Sequence, residues 1–180
     1  SMSSQNKRYM VQRFDVNDLA SYNGKKLIAV SFVPYSEATM YKIVVYQGGG
    51  LNDYNSDLHS GTKVVEQDVN ISTLVSGTWN TVMLDYPVTI DANQELWYGV
   101  YVESPAGTHP LLLGTPYVAK KSIIAKTATA AENQWSEYLT YDFCFLIKGT
   151  IEDASYNLSH YQIDRNGEML NTTTNTYYND

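Results

Sequence analysis

The chain of 180 residues holds a single cysteine, Cys144. One thiol cannot build an internal disulfide framework, and it excludes the zinc sites that need several thiolates. It does not place the chain inside a cell, since many secreted bacterial domains have no disulfide. Basic residues are few: 12 Lys and Arg stand against 19 Asp and Glu, a formal net charge of −7. A nucleic-acid binder needs a basic stripe to neutralise phosphates, so this balance argues against nucleic acid as a partner. No apolar run reaches the roughly 18 residues of a membrane-spanning helix, so no membrane insertion is expected. The N-terminus has no charged-then-apolar signal pattern. Because Ser1-Met2-Ser3-Ser4 reads as a cloning remnant, that carries no information on the address. An amphipathic helix period is missing over any useful length, which leaves no crossover helices for a parallel βαβ sheet.

What is present points the other way. Hydrophobic residues make up 43% and charged residues 17% of the chain, too apolar and too weakly charged for disorder, so a packed core is expected. The chain is rich in Thr, Asn and Tyr, with 16 tyrosines. Tyr and Thr favour half-buried pleated surfaces, and Asn favours turns. Runs with period-two alternation are expected as strands over residues 9–14, 26–33, 39–47, 62–72, 79–84, 87–90 and 96–103, and more weakly over 109–113 and 122–126. A short turn of helix is expected at Leu19 to Tyr22, followed by a tight turn at Asn23-Gly24. Residues 39–47 are apolar on both faces, as in a strand covered on both sides. Three glycines, Gly48 to Gly50, are expected to end that strand. One long strand is expected to carry Phe143, Phe145 and Ile147 toward the core, with Cys144 as a small buried residue between them.

About ten short strands separated by turns indicate an all-β fold, a sandwich or barrel. Residues 5–152 can supply one such sandwich. Residues 153–180 form a different segment, in which Tyr161, Ile163, Met169 and Leu170 flank Asn166-Gly167, a strong hairpin signal. A lone hairpin is marginal in water. This tail is expected to pack on the sandwich, to pair with a second copy in a homodimer through the hairpin, or to be a fragment of a following module.

Several segments resemble the gingipain-type cleaved adhesin domain. Leu19 to Leu27 follows L-x-x-Y-x-G-x-x-L, and Ile43 to Gly48 follows I-x-V-Y-x-G. Trp79 to Asp91 follows W-x-x-V-x-L-x-x-P-V-x-I-D, and Glu95 to Gly99 follows x-L-W-x-G. Their order and spacing cover about residues 10–152. The tail, Leu158 to Asp180, resembles the middle strands of a fibronectin-type-III-like module whose opening strands are missing. The resemblance implies a jelly-roll β-sandwich of two antiparallel sheets with a C-terminal β-hairpin. It also implies a non-catalytic adhesion or ligand-binding domain of a multidomain, extracellular or cell-surface bacterial protein. Its partner would be a host protein or a glycan. An accessory module of a secreted protease or glycosidase and a structural spacer are the alternatives.

Catalytic patterns are poor. His59, His109 and His160 are scattered, and no His-Glu-x-x-His, Gly-x-Ser-x-Gly or phosphate-loop motif occurs. Acid pairs such as Asp85 and Asp91 are offered by any chain with this many carboxylates. Asp53-x-Asn55-x-Asp57 could converge hard oxygen ligands on calcium, and related adhesin sandwiches are expected to carry structural Ca2+. An EF-hand would need Gly and Glu where Leu58 and Val64 stand. A polar connection with capped turns is the competing reading. Among the aromatics, Trp97 on an alternating strand is expected in the core, and Trp79 at the sandwich end. Trp135, after Glu132-Asn133-Gln134, is expected to expose its ring for a ligand, together with Tyr138, Tyr54 and Tyr117 near loops.

Overall fold

The computed structural model describes residues 5–35, 37–51, 58–122, 124–131, 134–137, 143–153, 161–165 and 168–173, with the backbone alone at Gln5 and in the last two ranges. The fold is all-β and antiparallel. In chain order the elements are β1 (Gln5–Phe14), α1 (Val16–Leu19), β2 (Lys26–Phe32), β3 (Met40–Leu51), β4 (Leu58–Asp68), β5 (Asn80–Thr89), β6 (Leu96–Pro105) and β7 (Leu113–Gly114). They continue with β8 (Ile124–Thr127), β9 (Ser136–Glu137), β10 (Cys144–Phe145), β11 (Ile147–Glu152), β12 (Tyr161–Arg165) and β13 (Glu168–Thr173). The helix is a single turn. Asp15 caps it by accepting from the Asn17 and Asp18 amides, and the Asp18 side chain accepts from the Asp15 amide in return.

Six strands form the main sheet in the order β4-β3-β6-β1-β8-β9, and three form a second in the order β11-β2-β5. The short pair β7–β10 adjoins the second sheet. Val33 donates to Leu146, Leu146 donates to Leu112, and Leu112 donates to Val33, all at 3.0–3.1 Å. Side chains of both large sheets share one core, with Met10, Ile43, Val45, Tyr98, Val100 and Val102 from the first meeting Val30, Phe32, Leu84, Val88 and Ile147 from the second and Phe145 from β10. This architecture is sandwich-like, although the strands fall into more than the two sheets expected. β12 and β13 pair as the anticipated antiparallel hairpin, with Arg165 opposite Glu168. Its expected turn, Asn166-Gly167, lies outside the described residues.

Strict alternation buries the central strands β3 and β6 of the six-stranded sheet on both faces. Along β6, Leu96, Tyr98, Val100 and Val102 enter the shared core, whereas Trp97 and Tyr101 enter a second cluster with Val11, Val44, Tyr46, Leu58, Ile124 and Trp135. The two apolar faces read in residues 39–47 are thus both covered.

Four expectations need correction. The strand expected to end at Gly48 continues through Gly49 and Gly50 to Leu51. Gly49 is required there, because a Cβ would lie 2.6 Å from the His59 carbonyl oxygen and 2.9 Å from Trp97 Nε1. The long strand from Phe143 breaks at Leu146 into β10 and β11. Phe145 and Ile147 are buried, but Phe143 is 42% exposed, since it precedes the first paired residue, Cys144. Residues 71–73 form a 3-10 turn rather than strand. Finally, the two short strands expected at 79–84 and 87–90 are one strand, β5, interrupted by a bulge.

Surface acids are engaged by neighbours, which sets a pH dependence. The Lys63 hydrogen bond holds the Glu66 carboxyl below its ordinary 4.5, with Lys42 adding to it. The Tyr101 hydroxyl, then Lys7, does the same for Glu103. Carboxyls depressed in the folded state stabilise it above their unfolded pKa, and that contribution is lost as pH falls through the folded value. The melting temperature is therefore expected to hold near neutrality and to fall as pH drops from about 5 to about 3. Glu66→Gln should flatten that decline only slightly, because exposed pairs contribute little. A thermal melt series across pH checks both statements; a melting temperature that rises on acidification would contradict them.

Candidate binding groove

Among the described residues β5 is an edge strand of the three-stranded sheet, and its pairing with β2 is irregular. Leu27 pairs with Val88 and Ala29 with Met83, so two residue steps on β2 face five on β5. The surplus lies in Leu84 to Pro87. Leu84 turns into the core, while Asp85, Tyr86 and Pro87 are pushed out. Pro87 suits this position because it has no N–H to leave unpaired. The bulge is pinned from the other sheet. Gln67 of β4 accepts from the Asp85 amide at 2.9 Å and donates to the Met83 carbonyl at 2.8 Å. Gln47 of β3 donates to the Thr89 carbonyl at 2.8 Å. Bulges on edge strands re-aim side chains, often beside functional sites.

The side chain re-aimed here is Tyr86, whose residue is 83% exposed. It borders an open groove of about 500 Å³ between the edges of the two sheets, whose walls include Gln47, Glu66, Gln67, Asp85 and Thr89. Small-molecule sites commonly occupy about 300–1,000 Å³. Sequence reasoning missed this site. The signal was the Asp85-Tyr86-Pro87 interruption, which reads as a gap between two strands when pairing is unknown.

The residues expected to bind a ligand are placed differently. Trp135 is only 4% exposed. Its backbone bridges to Leu58, and its ring packs edge-on to Tyr46 and Trp97, with centroids 5.5 Å away in each case. Lys126 lies over the same ring at 5.3 Å. Trp135 is a lid on the second apolar face, not an exposed contact. Tyr117 is partly buried against the core, and its hydroxyl donates to Glu137, which also accepts from the Lys120 amide. It fastens the segment before β8 to β9. Tyr138, Tyr54, Asp53, Asn55 and Asp57 lie outside the described residues. Among the described residues no group of three His, Cys, Asp or Glu is placed to hold a metal ion. The calcium expectation at Asp53, Asn55 and Asp57 is tested by a melt. A bound ion raises the melting temperature by mass action in wild type but not in Asp57→Ala, and indifference of the wild type to both calcium and EGTA argues against the site. Trp97 is fully buried as expected, and Trp79, just before β5, is partly exposed beneath Lys148 at 4.3 Å.

Other polar groups among the described residues are engaged in ion pairs and turns. Glu95 accepts from Arg13 Nε at 2.7 Å and Trp97 Nε1 at 2.8 Å, and also pairs with Arg13 Nη2, all buried. Burial raises the Cys144 thiol, the opposite of what a nucleophile needs. Asp91 caps a turn through the Asn93 amide and side chain, which hold its carboxyl below the usual range. Comparison with protein-family models, curated proteins and solved structures finds no significant match to this chain.

Proposed function

We propose that this chain is a non-catalytic adhesion or ligand-binding domain of an extracellular, multidomain bacterial surface protein, built as a jelly-roll β-sandwich. The observation that carries the reading is Tyr86, held out over a groove by a bulge that two glutamines of the other sheet pin in place. An exposed ring on a pinned bulge makes contact area at little entropic cost on binding. The non-catalytic part is supported by the engagement of Glu95, Glu103, Glu66, Asp15 and Asp91 in ion pairs, caps and turns. Cell-surface placement follows from the adhesin resemblance in residues 10–152. The binding surface in this proposal is the sheet edge rather than a cluster of end loops.

The test is a screen of the chain against immobilised collagen, fibronectin, fibrinogen and glycans. Saturable binding to at least one of these is expected. Tyr86→Ala should abolish it while changing stability by no more than about 0.5 kcal/mol, because the ring is outside the core. Absence of binding across the whole screen would favour the structural-spacer alternative.

A further inference from the structure

Resting on that reading, we infer that the groove beside Tyr86 takes a neutral carbohydrate, with one sugar ring stacked on the Tyr86 face and its hydroxyls donating to Glu66 and Asp85.

The first argument concerns what the groove can no longer bind. An extended peptide docking on a sheet edge needs free backbone N–H and C=O groups. On β5 three of these are already taken: the Asp85 N–H and Met83 carbonyl by Gln67, and the Thr89 carbonyl by Gln47. Pro87 has no N–H to offer. Strand addition here would have to displace two side-chain amides that hold the bulge. The groove itself adds one aromatic face and the carboxylates of Asp85 and Glu66, the latter already accepting one bond at each oxygen from Lys42 and Lys63 and keeping lone pairs to spare.

The second argument is chemical. A pyranose presents an apolar C–H face and a rim of hydroxyl donors. Tyr86 supplies an exposed flat ring for the first. Carboxylates supply acceptors for the second, and such charge-assisted bonds are the stronger kind. Glu66 is kept ionised, because Lys63 and then Lys42 hold its carboxyl low. Asp85 lies across the groove on the bulge.

The third argument is charge. The chain carries a net −7, and of the two carboxylates lining the groove Glu66 is offset by Lys63 and Lys42, which leaves Asp85 to set the sign of the wall. Sulfated or sialylated glycans would bring like charge to that wall and are disfavoured. A neutral oligosaccharide has no such cost.

The experiment uses the whole chain against named probes by titration calorimetry and on an array: cellohexaose, maltohexaose, xylohexaose, mannohexaose and chitohexaose as neutral oligosaccharides, heparin and polysialic acid as anionic ones. At least one neutral hexaose is expected to bind, and neither anion should. Tyr86→Ala should weaken the hexaose at least about tenfold, whereas Tyr86→Phe, which keeps the stacking face, should stay near wild type. Asp85→Asn should weaken it less than Tyr86→Ala. Tyr35→Ala, exposed on the segment after β2, should change nothing. Binding of no neutral hexaose, or hexaose binding untouched by Tyr86→Ala, overturns the inference. Binding to collagen, fibronectin or fibrinogen through Tyr86 without any hexaose leaves the adhesion reading standing and removes the carbohydrate. Binding to none of the proteins or sugars removes both.

Discussion

Glu95→Ala is expected to destabilise the fold by about 3–5 kcal/mol, the range for breaking one side of a buried ion pair. Glu95 is the common acceptor of a buried polar knot in which its two oxygens serve Arg13 Nε, Arg13 Nη2 and Trp97 Nε1. Arg13 is 6% exposed, and its one other described acceptor is the Lys120 carbonyl at 3.3 Å. Without Glu95 the guanidinium stays charged, since no accessible pH deprotonates it, and the indole N–H loses its partner. The pair with Glu95 raises the Arg13 guanidinium further still. The side chains cannot swing to water easily, because the glycine segment of β3 packs over Trp97 with no room for even a Cβ at Gly49. Glu95→Gln should cost less than Glu95→Ala, as the amide oxygen still accepts one bond. The sharper check is the cycle with Arg13→Met. If the knot behaves as a buried pair, Arg13→Met with Glu95→Leu should be more stable than the Glu95→Ala single variant, because no unpaired charge remains. Urea unfolding with unchanged m-values measures each of these variants and the Glu95→Leu single that closes the cycle. A Glu95→Ala loss below about 1 kcal/mol would mean that water reaches the guanidinium.

The strands were legible where alternation is strong and pairing is regular. Residues 39–47 and 96–103 announced β3 and β6, including the burial of β3 on both faces, because each residue reports its own side of the sheet. The turn before Asn23-Gly24 was legible only in part: a helical turn does cover Ala20–Tyr22, but the α-helical turn capped by Asp15 lies one step earlier, at Val16–Leu19, and was not read. What failed was whatever depends on a partner strand. The β5 bulge is a mismatch in residue count between β2 and β5, and nothing in residues 84–87 alone distinguishes a bulge from a gap. Phe143 shares the parity of Phe145 but lies one residue before pairing begins, and parity without a partner does not bury a ring. Trp135 was misjudged because the polar residues before it in the sequence say nothing of the apolar face it covers. The candidate site was illegible for the same reason, since Gln47, Gln67 and Tyr86 converge only through pairing between distant segments.

The role of Trp135 as a lid has a measurable consequence. Trp135→Ala is expected to cost about 3–5 kcal/mol, as for a buried Trp or Phe truncation, even though it lies just before the two-residue strand β9. Its ring lies within 5.5 Å of Tyr46 and Trp97 and 6.1 Å of Tyr9 by centroid, so removal uncovers the aromatic face of the six-stranded sheet. The variant should therefore also bind a hydrophobic dye that wild type does not. A second comparison separates packing from hydrogen bonding. Trp135 Nε1 is buried with no hydrogen-bond partner among the described residues, whereas Trp97 Nε1 donates to Glu95. Both Trp135→Phe and Trp97→Phe shrink an indole to a phenyl ring in the same cluster. Only the second removes a bond to a buried carboxylate, so Trp97→Phe should be the more damaging, by about 1.5–3 kcal/mol. Trp135→Phe removes an unsatisfied donor along with the lost area, which offsets part of its cost. Equal losses from the two replacements would mean that the Trp97–Glu95 bond adds nothing to stability. A Trp135→Ala variant as stable as wild type would mean that this face of the sheet does not need its cover.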